Sequence, residues 1–154
     1  PFIGDESAYF LSINRNKRSL TLNFKDDRAK EIFLKLAKDA DVIVENFTPG
    51  VLERFGLGYD VVNEVNPGIV FCSVSGFGQT GPYRSRPAYD QIMQGIRGLM
   101  SITGEPDDKN GGPQKVGLAV SDLFTGMYAS VALLAAITHQ ERTGEGQYID
   151  LACF

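Results

Sequence analysis

The stretch that most limits what this chain can become is Gly117–Ala136, GLAVSDLFTGMYASVALLAA. It carries one carboxylate, Asp122, where a short extended run gives way to a long apolar helix, and no further charge appears until Glu141. Ser121 and Asp122 are residue types that cap a helix by accepting hydrogen bonds from its first free N–H groups. A helix apolar on most of its sides is expected to be buried. Small residues such as Gly126, Ala129, Ala132 and Ala136 let backbone or a ligand come close. Asp122 then has two readings. One is a structural N-cap. The other is a carboxylate held ionised by the positive helix end and free to act as a nucleophile.

Composition narrows the setting. The 154 residues make one domain or a piece of one, long enough to bury a core. A formal net charge of −4 argues against a general nucleic-acid binder, which needs a basic face for phosphates. No apolar run is expected to span a bilayer, because the best one, 118–137, is interrupted by Ser121, Asp122 and Thr125. Cys72 and Cys153 lie far apart, each inside an apolar strand-like run. They read as buried thiols of a reducing compartment rather than as metal ligands. The expected location is therefore the cytoplasm, with mitochondrion and peroxisome left open. The chain begins at Pro1 and stops at Phe154 inside a strand pattern, so a fragment of a longer protein is expected.

Along the chain, residues 1–10 show little periodicity and read as a loop, and Asn14–Arg18 as a basic turn. SLTLNF, Ser19–Phe24, alternates as a half-buried strand does. Asp26 and Asp27 open a helix with Ala29, Ile32, Phe33, Leu36 and Ala37 at helical spacing. Val42–Val44 reads as a central parallel strand. Pro49-Gly50 turns into the short helix VLERF, and a second helix over about Tyr59–Asn66 ends at Pro67-Gly68. Ile69–Ser75 is the next buried strand. A helix follows from about Tyr89 to Met100, then a Gly/Pro-rich surface loop over Glu105–Gln114. After the Asp122 helix, Gln147–Cys153 reads as a last strand. Strands alternating with helices point to an α/β layer with a mainly parallel sheet.

GFGQTG, Gly76–Gly81, fits Gly-x-Gly-x-x-Gly and follows a strand. A dinucleotide site needs a helix opening at the third glycine, and Pro82 and Pro87 forbid one. The loop still lies at the carboxyl end of a strand, where open α/β sheets bind ligands. His139, the one histidine, has no partner at metal-ligand spacing and reads as a helix-end residue. The basic cluster Arg15, Lys17, Arg18, Lys25 and Arg54 is a solvated face or a phosphate site. Phe47 beside Asn46 offers a ring on which an adenine can stack.

Taken together, NRNKRSLTLNF, DVIVENFTPGVLERFGLGYD, NPGIVFCSVSGFGQTGPYRSRPAYD, the SDLFTGMYASVALLAA run and RTGEGQYIDL resemble the class III coenzyme A transferases. That family includes formyl-CoA transferase, carnitine CoA-transferase and 2-methylacyl-CoA racemase. The similarity is collinear from about Phe10 to the end. It implies a Rossmann-like large domain of a family that forms interlocked homodimers. Residues 1–154 would be the central part of that domain, lacking its opening βα unit, the small domain and the C-terminal segment.

The resemblance implies Asp122 as the catalytic nucleophile, with Tyr89 and Asp90 at further active-site positions. It places Leu22, Lys25, Asn46, Phe47, Arg54 and Phe55 along the CoA site. Coenzyme A would be a co-substrate, with no separate cofactor and no metal. The partners would be an acyl-CoA and a small carboxylic acid, with neither nucleic acid nor membrane. Asp90 stands where formyl-CoA transferase has glutamate, Phe55 where it has methionine and Pro87 where it has lysine, which argues against oxalate or formate as substrate. The racemase branch carries a histidine at the position of Tyr89, and a tyrosine is a poor acid–base for an α-proton at neutral pH. CoA transfer through an aspartyl anhydride and an aspartyl-CoA thioester is thus the favoured reading. A racemase or epimerase of the same family and a non-catalytic CoA-binding or assembly fragment are the rivals. The family's glycine-rich lid lies outside these residues, so the fragment alone is expected to be inactive.

Overall fold

The computed structural model describes residues 2–154, the side chain of Asp107 excepted. Phe2–Ile3 (β1) and Glu6–Ser7 (β2) pair antiparallel and lead into Ala8–Ile13 (α1). The opening is therefore a small hairpin and helix where a loop is expected from sequence. The expected strand over Ser19–Phe24 does not form: these residues run irregularly to the first long helix, Asp27–Lys38 (α2). Their alternation serves packing instead, with the Phe24 ring set edge-on to Phe33 at 5.5 Å. Asp26 caps α2 by accepting from the Arg28 backbone N–H at 3.0 Å.

The main sheet has three parallel strands: Val42–Glu45 (β3), Val70–Ser75 (β4) and Gln147–Ala152 (β5), in the order β3-β4-β5. Val42 pairs with Val70, and Val70 in turn with Gln147. β4 is central and almost wholly buried, as a continuous apolar run in a parallel sheet should be. β3 lies at an edge of this sheet, with Val44 exposed, rather than at its centre. The crossover from β3 to β4 carries Val51–Arg54 (α3) and Tyr59–Val65 (α4). Leu52, Leu57, Val62, Ile69 and Phe71 pack with Ala37 as the core on this side. The crossover from β4 to β5 carries Asp90–Ile96 (α5), two short 3-10 turns and the long Val120–Thr143 (α6). The α/β layer read from sequence is the one observed.

α6 departs from expectation in two ways. Its N-cap is Ala119, which offers no side-chain oxygen, so Ser121 and Asp122 sit inside the first turn and cap nothing. Nor is it buried on most sides. Ser121, Thr125, Ala129 and Ala136 form one buried stripe, while Leu123, Phe124, Met127, Tyr128, Val131 and Leu134 are exposed. The stripe packs on β4 and β5, and Gly144, at φ 78°, ends the helix by donating its N–H to Gln140 O at 2.7 Å. By length and composition α6 is also long and apolar enough to cross a membrane, contrary to the expectation that no run would be. Small and hydroxylated residues laid on a sheet are nonetheless what the layer of an α/β fold requires.

Candidate active site

The carboxyl ends of the three parallel strands open into one cleft of about 550 Å³. Asn46 and Phe47 follow β3, Ser75 and Gly76 close β4, and Cys153 follows β5. This is the edge where open α/β sheets place ligands, because side chains from successive strand ends converge there. The rest of the lining comes from Asp122, Thr125 and Gly126 of α6 and from the irregular segment Arg86–Tyr89. Gly126 has open space where a Cβ would stand, which keeps the cleft clear one turn beyond Asp122. Gly76 does the opposite: a Cβ there would collide with Ala88, so the absence of a side chain brings 86–89 against the end of β4.

The start of α6 is held from another helix. The Asp90 carboxylate accepts the Ser121 N–H at 2.8 Å and, more distantly, the Asp122 N–H at 3.4 Å. A carboxylate in this position satisfies free N–H groups of the first turn and meets the positive end of the helix dipole. Its other oxygen accepts from Gln94 Nε2 at 2.5 Å. Gln94 is fully buried and also donates to the Leu118 carbonyl at 3.1 Å while accepting the Val116 N–H at 2.8 Å. One amide thus ties α5 to the segment that leads into α6 and fixes the carboxylate that caps it.

Asp122 lines the cleft and remains accessible to solvent. Burial pushes its carboxyl above the ordinary value, and the nearby negative charge of Asp90 pushes in the same direction. That balance runs against the expectation of a carboxylate simply held ionised by its helix. An aspartate costlier to ionise is more basic and a stronger nucleophile once charged.

The residue range 1–154, the whole chain, matches the model of the family described as CoA-transferase family III. The chain belongs to that family. Among family III relatives, the succinyl-CoA:glutarate CoA-transferase of Homo sapiens is 46% identical over 97% of this chain and 34% of its own length. The acetyl-CoA:oxalate CoA-transferase of Acetobacter aceti is 44% identical over 100% of this chain and 39% of its own. A crystal structure of a CAIB/BAIF family protein from Brucella suis superposes with a TM-score of 0.91 at 45% identity, covering 97% of this chain and 39% of that one. The chain thus spans about a third to two fifths of the length of the relatives it matches.

Against this family III background, the residues singled out from sequence divide into two sets. Asn46, Phe47, Tyr89 and Asp122 share the cleft. Asn46 is anchored by donating from Nδ2 to the Val74 carbonyl at 2.7 Å, while the Phe47 and Tyr89 rings are exposed. Asp90 stands behind the cleft, both oxygens engaged as described. The other CoA-site candidates do not line the cleft. Leu22 borders a separate shallow depression beside α2, Lys25 is exposed on the turn before that helix, and Arg54 folds its guanidinium over Gly50. Phe55 is half-buried against Phe24 at 5.9 Å and packs on the core. The Gly76–Gly81 loop is followed by no helix, in keeping with the two prolines, and Cys72 and Cys153 are free and buried.

Three residues at the site are not singled out by the sequence. Thr125 was within reach, since it lies one helical turn from Asp122 on the same face. Gln94 sits in an ordinary helical pattern, and only the fold brings Val116 and Leu118 against it. Arg86 is a cation between Pro82 and Pro87, and its place on the cleft depends on how that irregular segment folds back.

Proposed function

We propose that this chain carries the nucleophile and part of the CoA site of an enzyme that moves coenzyme A from an acyl-CoA to a carboxylic acid. The observation that carries the reading is Asp122 facing a cleft at the carboxyl edge of the sheet, in a chain that matches family III throughout. Exchange of one thioester and carboxylate for another is nearly balanced in free energy and needs no ATP. The barrier is the attack of a poor nucleophile on a thioester, and covalent catalysis divides it into easier steps.

An Asp122 oxygen attacks the thioester carbonyl carbon, the C–S bond breaks, and CoA leaves as thiolate, giving a mixed acyl-aspartyl anhydride. The thiolate attacks the Asp122 carbonyl carbon and the donor acid departs as carboxylate, leaving an aspartyl-CoA thioester. The acceptor carboxylate then attacks that thioester, again releasing thiolate and forming a second anhydride. Attack of the thiolate on the acceptor's acyl carbon completes the new acyl-CoA and returns Asp122 as a carboxylate. Anhydrides hydrolyse, so the site must keep water out during this cycle.

In this scheme Asp90 acts through α6: it seats the first turn and thereby aims Asp122. Phe47 offers its exposed ring for the adenine, and Lys25 and Arg54 are cations for the phosphates. Leu22 and Phe55 lend apolar packing behind them. The acids named in the two curated relatives, glutarate and oxalate, are dicarboxylates, and the acceptor is taken to be of that class. Tyr89, in place of a histidine, favours transfer over racemisation. The working unit is taken to be a homodimer of the full-length protein.

The test is chemical. Full-length enzyme is incubated with acyl-CoA, quenched with hydroxylamine and digested, and a hydroxamate is expected at Asp122. Asp122→Asn is expected to lower kcat at least ~10³-fold, in line with removal of a covalent nucleophile. Normal turnover by that variant, or an unmodified Asp122 peptide during turnover, overturns the assignment.

A further inference from the structure

Among the residues that line the cleft, Asp122 supplies the one negative charge and Arg86 the one positive charge. Arg86 belongs to the irregular segment between β4 and α5, where its backbone N–H donates to the Tyr83 carbonyl at 2.9 Å. Its guanidinium carbon lies 4.0 Å from the centroid of the Tyr83 ring. Tyr83 in turn stands edge-on to Phe77 at 5.6 Å, and Phe77 packs on Phe154 at 5.9 Å. The guanidinium of this exposed side chain is therefore placed over one ring of an aromatic cluster that reaches back to the end of the sheet, and the cation–π contact favours that placement. Among the described residues the ion pairs are Arg28–Asp26, Lys30–Asp27 and Lys109–Glu105, and none of them engages Arg86.

We propose that Arg86 reads substrate chemistry: it grips the far carboxylate of a dicarboxylic substrate, either as the free acid or as its CoA thioester. The inference rests on the CoA-transfer reading above. A dicarboxylate has one carboxyl group that reacts and one that keeps its charge through every step. In a cleft that already holds Asp122 and is walled by Phe47, Pro49, Val74 and Pro87, that second charge is repelled unless a cation meets it. A planar guanidinium offers two parallel N–H donors to both carboxylate oxygens, a geometry that an ammonium lacks. A monocarboxylic substrate of equal length presents only methyl hydrogens there and leaves the cation unused. The same fork also suits a phosphate of CoA, and the experiment separates the two anions.

Full-length wild type, Arg86→Gln and Arg86→Lys are compared in the first half-reaction. The rate of hydroxamate formation at Asp122 is measured with succinyl-CoA and with butyryl-CoA, which differ only in the far group. Loss of a charge-assisted pair should cut the preference for succinyl-CoA about 10- to 100-fold in Arg86→Gln, with the butyryl-CoA rate within about 2-fold of wild type. Arg86→Lys should fall between. Equal loss with both donors assigns Arg86 to the CoA moiety and overturns the proposal, as does an unchanged preference. Binding of free glutarate against pentanoate, titrated calorimetrically on the same proteins, needs no chemistry at Asp122. Glutarate bound equally by wild type and Arg86→Gln overturns the proposal even if no aspartyl adduct forms, whereas missing adducts with intact Arg86-dependent binding count against the nucleophile alone.

Discussion

A single carboxyl group, on Asp122, is both the proposed nucleophile and the bearer of a cost. Burial and the Asp90 charge raise its value on folding, so folding favours the protonated form. Stability from this source is complete below the ordinary carboxylate value of 3.8 and is lost as pH rises through the raised one. Asp122→Asn, which cannot ionise, should therefore melt above wild type at neutral pH, and the gap in Tm should close as pH falls toward 3.8. A gap that is constant in pH would contradict this electrostatic account. The rate should show the other face of the same balance. In the proposed mechanism Asp122 must be ionised to attack, so the acid limb of kcat should lie above the ordinary aspartate range, and Asp90→Asn should move it to lower pH by removing the second cause. That aspartate types belong at the head of an apolar helix was readable from spacing. Which one caps the helix was not, because Asp90 is 31 residues from Ser121 in sequence and meets it only in the fold.

Between α5 and α6 the decisive connection is a buried amide. Gln94 has no exposed surface, and its side chain satisfies Asp90, the Leu118 carbonyl and the Val116 N–H together. Gln94→Leu matches its size but strips partners from three polar groups, each costing about 1–3 kcal/mol when left unpaired and buried. A stability loss of roughly 3 kcal/mol or more is expected by urea denaturation, with slower hydroxamate formation at Asp122 in the fraction that stays folded. Stability within about 0.5 kcal/mol of wild type would mean that water replaces the amide at no cost. At this scale the strong periodic signals were dependable. α2, α4, β4 and β5 fall where their apolar spacing puts them. Ser19–Phe24 does not, because alternation alone cannot supply a neighbouring strand, and Phe24 finds its burial against Phe33 and Phe55 instead.

Across the whole molecule, the apolar face of α6 sets the behaviour in solution. Leu123, Phe124, Met127, Tyr128, Val131 and Leu134 form an exposed apolar ridge on α6. The 154-residue chain on its own should bind a hydrophobic dye strongly and elute above its monomer size, and Met127→Lys with Val131→Glu should reduce both. Monomeric elution with weak dye binding by the unaltered chain would show that the ridge is shielded some other way. By themselves the residues determined the order of strands and helices from α2 onward, the glycine turns, the absence of a helix after Gly81 and the prominence of Asp122, all of which depend on local spacing, proline geometry and chemistry within a few positions. Only the tertiary structure decided that Asp90 rather than Ser121 or Asp122 caps α6, that β3 lies at the edge of the sheet, that Arg86 reaches the cleft, and that α6 buries one stripe instead of its whole girth. Each of these depends on contacts between residues distant in sequence, where burial and hydrogen-bond partners are set by what the fold brings alongside and not by the neighbours along the chain.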